Sequence, residues 1–146
     1  MIRLFVDANI LLDALLQRPH EAAAAIGLLE LGEKRRVKLL TTAISIGIVL
    51  YHLQRSGADK KGKRLQMARH ITADLLACLE VVPVTAEHFL QSTASSFTDI
   101  EDGAQYFAVA ATGPLTGVVS RDPDFDGHIA VKRLSASAAV ALVTKG

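Results

Sequence analysis

Along this chain, short apolar runs alternate with longer stretches in which apolar residues recur at helical spacing. Ile2, Leu4, Phe5 and Val6 make a run too short for a helix and too uniformly apolar for a half-exposed strand, which predicts a buried β-strand over residues 2–6. Asn9 is a good N-cap, and Ile10, Leu11, Ala14 and Leu15 supply the apolar stripe of a first helix. The Arg18-Pro19-His20 break follows, and Pro19 is suited to open a second helix reaching about residue 34. Residues 37–41 read as a second strand. Residues 43–54 are apolar at nearly every position, which predicts a helix buried on most sides or covered by a partner. Ser56-Gly57-Ala58-Asp59 ends that helix and caps the next, over residues 60–78. A third strand, 79–84, contains Pro83 and so belongs at a sheet edge. Helices over 86–94 and 100–112, strands over 117–120 and 129–134, and an Ala-rich helix started by Ser135 complete the chain.

Strands separated by helices at this spacing imply parallel crossovers, hence a three-layer α/β sandwich. The chain has 146 residues, half of them hydrophobic, a size and composition that predict one folded domain over residues 1–146. No repeat or linker divides it. Net charge is +1, from 16 basic and 15 acidic residues, which argues against a broad basic platform for nucleic acid but leaves room for a local one. Cys78 is the single cysteine, so neither a disulfide framework nor a cysteine zinc site can form, and its apolar neighbours place it in the core. No apolar run reaches membrane-spanning length, and the first residues lack the layout of a signal peptide; the expectation is a cytoplasmic protein.

Candidate chemistry enters through aspartates at strand and helix ends. Asp7 falls just past the first strand, where open α/β sheets place ligands, and a carboxylate mounted between a buried strand and a helix start suits a metal site. It could equally serve as a helix cap beside Asn9. Asp99, Glu101 and Asp102 crowd the start of the sixth helix; one or two acids there would complement the helix dipole, but three exceed what capping requires. Asp99 and Asp102 share a face that Gln105 and Tyr106 continue. Asp122 again lies just past a strand, and if the first and fourth strands are neighbours it emerges beside Asp7. Three converging carboxylates stay ionised together only with a compensating cation, and oxygen-only ligands favour Mg²⁺ or Mn²⁺ over zinc.

The run Asp122-Pro123-Asp124-Phe125-Asp126-Gly127 imitates the opening of an EF-hand loop. Position twelve of such a loop would be Arg133, where calcium requires a bidentate Glu, and a strand precedes it instead of a helix. The calcium reading fails on both counts.

Three stretches together resemble the successive motifs of the PIN-domain family, specifically its small VapC-like toxin ribonucleases: Phe5-Val6-Asp7-Ala8-Asn9-Ile10-Leu11-Leu12-Asp13, Asp99-Ile100-Glu101-Asp102-Gly103-Ala104-Gln105, and Val119-Ser120-Arg121-Asp122-Pro123-Asp124-Phe125. Their order, spacing and the total length fit. The resemblance implies a parallel sheet of strand order 3-2-1-4-5 with acids at its C-terminal edge holding Mg²⁺ or Mn²⁺. It further implies cleavage of RNA and, for many small bacterial members, the role of toxin in a toxin–antitoxin pair. By position, Asp7, Asp102 and Asp122 match the family's acidic catalytic and metal-binding residues, with Asp99 as a near neighbour; Asn9 and Ser120 match its supporting polar positions.

One position departs. The family's second acid falls on Ile48, and no Asp or Glu occurs between Lys34 and Ala58. Asp99, Glu101, Asp126 or a water could substitute. The alternative is a catalytically impaired PIN-like module that binds RNA or a protein partner. A haloacid-dehalogenase-like phosphatase would want an acid where Asn9 stands, and a receiver domain an acidic pair before Asp7; neither is present.

For an active protein the expected chemistry is metal-assisted phosphodiester hydrolysis, with no histidine suited as general base. RNA would be held by positive charge, from Lys60, Lys61, Lys63, Arg64 and Arg69 or from Lys34, Arg35, Arg36 and Lys38, although such runs are commonly plain solvated faces. Arg121 is placed to touch phosphate or to pair with an aspartate. With no tryptophan and two tyrosines, base stacking is a minor resource. The apolar helix after the second strand suits a homodimer or antitoxin interface.

Overall fold

The computed structural model describes residues 1–55 and 62–146. The expected turn over residues 56–59, and Lys60 and Lys61 of the first basic cluster, lie outside the described residues. Five parallel strands, β1 (Arg3–Val6), β2 (Lys38–Thr42), β3 (Glu80–Val82), β4 (Gly117–Val119) and β5 (Lys132–Leu134), pair in the order β3-β2-β1-β4-β5. Around them lie α1 (Ala8–Leu15), α2 (Ala22–Glu33), α3 (Ala43–Leu53), α4 (Lys63–Cys78), α5 (Ala86–Thr93), α6 (Ile100–Ala110) and α7 (Ala136–Lys145). The layered α/β architecture is the one the spacing of strands and helices predicted, and the sheet order is the one the family resemblance implied.

Alternation along β1 divides the core. Leu4 and Val6 join Ile10, Leu11, Leu28, Val49 and Val143 on one face. Phe5 joins Leu40, Val109, Val118 and Phe125 on the other. Because both faces are covered, the central strands β1 and β4 read as nearly uninterrupted apolar runs. Several strands end directly in a helix cap: Asp7 caps α1, the Thr42 hydroxyl accepts the Ser45 N–H at 3.2 Å, and the Ser135 hydroxyl accepts the Ala138 N–H at 3.1 Å. In a parallel sheet these caps fall along one edge, which is where polar chemistry collects.

Local differences from the expected elements have identifiable causes. Asp7, not Asn9, is the N-cap of α1, so Asn9 lies inside the helix with its amide free to reach outward. α2 begins at Ala22, three residues after Pro19, because His20 takes a left-handed conformation with φ of +69°. β3 stops before Pro83 and does lie at an edge. β5 is confined to Lys132–Leu134, since residues 126–131 continue the 3-10 turn (Pro123–Phe125) as turn and bend, with Gly127 at φ +82°. α3 is not enclosed: only Ser45, Val49 and Leu53, one residue per turn, are buried, and Tyr51 is 54% exposed. Its lack of polar residues concealed a single packing stripe. Cys78 is half-buried against the core rather than inside it.

Candidate functional site

The C-terminal edge of the sheet is organised by the register between β1 and β4. Val6 lies opposite Val119, so the next residues, Asp7 and Ser120, emerge side by side, and the Asp7 N–H continues the ladder to the Val119 carbonyl at 3.0 Å. Ser120 is fully buried. Its hydroxyl donates to Asp7 Oδ2 at 2.7 Å and accepts the Asp122 N–H at 3.0 Å, which ties the two acids through one oxygen. Asn9 Nδ2 reaches both Asp7 Oδ2, at 3.1 Å, and Ser120 Oγ, at 3.3 Å. The Ala8 N–H donates to Asp7 Oδ1 at 2.8 Å. Both Asp7 oxygens are thereby oriented by the protein; Oδ2 accepts two hydrogen bonds, whereas Oδ1 accepts one and retains a free lone pair.

Asp102 arrives from the other side. Asp99 caps α6, its Oδ1 accepting the Asp102 N–H at 3.0 Å, so the two acids share the first turn. An aromatic knot beneath them sets the loop positions. Phe125, fully buried, meets Phe5 edge-on at 6.2 Å and Phe97 at 6.1 Å. Phe125 anchors the loop after Asp122, and Phe97 anchors the loop before Asp99. The two loops are latched again where Ser96 Oγ meets His128 Nδ1 at 2.8 Å.

The electrostatics show that these acids act on one another. Burial, with the charges of Asp7, Asp99 and Asp122 and a hydrogen bond to Asp122, pushes the Asp102 carboxyl up to about 8. At neutral pH Asp102 therefore holds a proton. Burial also raises Asp7 above the ordinary carboxylate range; the hydrogen bonds from Ser120 and Ala8 oppose this, and the charges of Asp122 and Asp99 add to it. The neighbouring arginines are engaged elsewhere. Arg121 forms the ion pair rather than a free phosphate contact, but with Asp13 instead of its sequence neighbours, at 2.7 and 2.8 Å. Arg133 grips both oxygens of Asp126 at 2.9 Å, which removes Asp126 as a spare ligand.

Asp7, Asp99, Asp102 and Asp122 are thus brought within electrostatic reach, with Asn9 and Ser120 supporting. Among the described residues, no three His, Cys, Asp or Glu side chains already stand as a finished ligand set for one ion. The donor chemistry still suits a hard divalent cation: carboxylate and hydroxyl oxygens only, with repulsion that a bound cation would relieve. Ile48, where the fourth acid was expected, packs against the core. At the start of the same helix, Thr42 and Ser45 both donate their hydroxyls to Oε1 of the buried Gln105, each at 2.6 Å.

The basic runs separate from the acids. Lys34, Arg35, Arg36 and Lys38 stand at the start of β2, the opposite edge of the sheet, where Lys38 pairs with Glu80 at 2.7 Å. Lys63, Arg64 and Arg69 lie on α4. Residues missed from sequence are Asp13, Thr42 and Ser45. A signal existed for Asp13, which follows Asn9 by four residues and so shares its helix face.

Residues 3–124 match the sequence model of the PIN domain. The chain belongs to the PIN domain family. Solved structures that share the fold span nearly the whole chain. PAE2754 from Pyrobaculum aerophilum is 17% identical, with TM-score 0.67, covering 99% of this chain and 97% of that one. VapC20 of Mycobacterium tuberculosis, a toxin that cleaves the sarcin–ricin loop, is 18% identical with TM-score 0.61, covering 88% and 98%. VapBC2 of Rickettsia felis, solved with a fragment of its promoter DNA, is 15% identical with TM-score 0.60, covering 92% and 98%. At such identities the likeness is one of fold. No curated protein sequence matches this PIN domain.

Proposed function

We propose that residues 1–146 act as a single PIN domain that hydrolyses RNA phosphodiester bonds with Mg²⁺ or Mn²⁺, as the toxin of a toxin–antitoxin pair in the cytoplasm. The observation that carries the reading is the gathering of Asp7, Asp102 and Asp122 at one sheet edge, with burial and mutual repulsion forcing a proton onto Asp102. A stable protein gains nothing from such crowding, whereas a cation site needs it. Family membership and the toxin structures that share the fold support the same reading.

Asp7, Asp102 and Asp122 would hold the cation, with Asp99 close enough to add charge. When bound, such a cation supplies positive charge against the phosphodiester and activates water. The chain's own contribution is orientation and proton handling. Ser120 and Asn9 fix the Asp7 carboxylate, and Ser120 also fixes the Asp122 backbone. Asp102, protonated at neutral pH while no cation is present, would give up that proton as the cation binds.

No helix among the described residues is long and apolar enough to cross a membrane. The exposed side of α3, with Tyr51, is the surface we assign to a second copy or an antitoxin. The second reading, a PIN module that binds without cleaving, is favoured by Ile48 standing in place of the fourth acid.

One assay separates the two. Structured RNAs are incubated with the protein and Mg²⁺ or Mn²⁺ beside Asp7→Asn. Cleavage that disappears in the variant supports the nuclease; identical traces from both support the binding module.

A further inference from the structure

Asp13 is 1% exposed, yet it is a carboxylate on an otherwise apolar helix face. Residues of this kind are seldom so buried without charged partners. Here the partners are Arg121, whose Nε and Nη2 donate to Oδ2 at 2.7 Å and Oδ1 at 2.8 Å, and Arg18, whose Nη1 approaches Oδ1 at 3.3 Å. The Arg121 grip is the two-bond fork that fixes a guanidinium most firmly. One turn earlier on α1, Asn9 Oδ1 accepts the Arg121 N–H at 3.4 Å. α1 therefore holds residue 121 twice, by its backbone and by its guanidinium.

The consequence lies in where residue 121 sits. It is flanked by Ser120 and Asp122, so its backbone belongs to the wall of the acidic pocket. A guanidinium tethered there is a cation at very high effective concentration, and four carboxylates whose nearby cation, Arg133, is committed to Asp126 and the Ser120 carbonyl would attract it. We propose that Asp13 is a positioning residue: by holding Arg121 against α1 it keeps that guanidinium out of the Asp7–Asp102–Asp122 pocket and leaves the pocket open to an external divalent cation. This rests on the cation-binding reading of those three aspartates.

The test compares wild type, Asp13→Leu, Arg121→Gln and the Asp13→Leu/Arg121→Gln pair, all stripped of metal. Asp13→Leu removes both acceptors from a buried position and leaves Arg18 and Arg121 with solvent access. Asp13→Asn, which keeps one acceptor, stands in should the Leu variant fail to fold. In crystals of the metal-free single variant, the Arg121 guanidinium is expected within hydrogen-bonding distance of Asp7 or Asp122. The rise in melting temperature on adding Mn²⁺ is expected to fall to half or less in that variant and to recover in the double variant.

Two results overturn the proposal. One is Arg121 remaining outside the pocket in the variant crystals. The other is a double variant as unresponsive to Mn²⁺ as the single one, which would make Asp13 a scaffold for the turn and nothing more. If wild type itself shows no Mn²⁺ response, the cation reading falls, and the position of Arg121 in the variant crystals still decides what Asp13 does.

Discussion

Ser120 and Asp7, 113 residues apart in sequence, meet as a buried hydroxyl donating to a buried carboxylate at 2.7 Å. The same hydroxyl accepts the Asp122 N–H and the Asn9 amide, so one oxygen coordinates three parts of the site. Ser120→Ala should leave an Asp7 lone pair and the Asp122 N–H short of a partner. The expected cost is about 2 kcal/mol, since the lost bond is buried and charge-assisted. Urea denaturation measures it, and RNA cleavage should fall in parallel as Asp7 loses its orientation.

Asp102 gives a pH dependence whose sign is fixed by geometry. Its folded value of about 8 lies above the ordinary 3.8, so between those limits the folded protein binds the proton more tightly than the unfolded chain. Stability on this account is highest at low pH and declines as pH rises toward 8. Asp102→Asn, which mimics the protonated acid, should therefore melt at nearly the same temperature as wild type near pH 4 and increasingly above it as pH rises to about 8. Mg²⁺ should erase that advantage while leaving the variant inactive. Scanning calorimetry across pH, with and without Mg²⁺, reads both effects; a gap between the two proteins that does not grow with pH would contradict the assignment.

Gly103 follows Asp102 because α5 and α6 touch there. A Cβ at this position would overlap Ser92 Oγ and lie 2.9 Å from Phe97 Cγ. Neither neighbour can yield cheaply: Ser92 Oγ donates to the Ile100 carbonyl at 2.8 Å, and Phe97 is locked in the aromatic knot. Gly103→Ala should destabilise by about 1–3 kcal/mol through overpacking. A shift in the denaturation midpoint without a change in slope would show it.

Gln105 accepts hydroxyls from Thr42 and Ser45 on one oxygen, at 2.6 Å each. Gln105→Leu preserves bulk but strands two buried hydroxyls, at a cost of about 2 kcal/mol or more. If this cluster only supports the fold, Mn²⁺ should still raise the melting temperature of the variant as it does for wild type. A lost response would bring the cluster into the site in place of the missing acid.

Periodicity was enough for most of the architecture. The apolar runs of β1, β2 and β4 are buried on both faces, and sandwiching between helices is the one arrangement that satisfies them. The candidate acids were legible for a related reason: Asp7 and Asp122 fall at strand ends, Asp102 at a helix start, and a parallel sheet gathers those positions along one edge. Of the two readings of α3, burial on most sides fails, because apolar composition does not say which face is covered; only packing leaves Val49 buried and Tyr51 out.

What the chain determined by itself is thus the alternation of strands and helices and the set of carboxylates that the sheet collects, because both follow from local pattern and from the direction of parallel strands. What the tertiary structure alone decided is pairing across distance. Arg121 ignores its neighbours Asp122 and Asp124 for Asp13, 108 residues away. Ser120 binds Asp7, and Thr42 and Ser45 turn to Gln105. Such choices depend on which buried group lacks a partner once the layers close, and no spacing along the sequence encodes that.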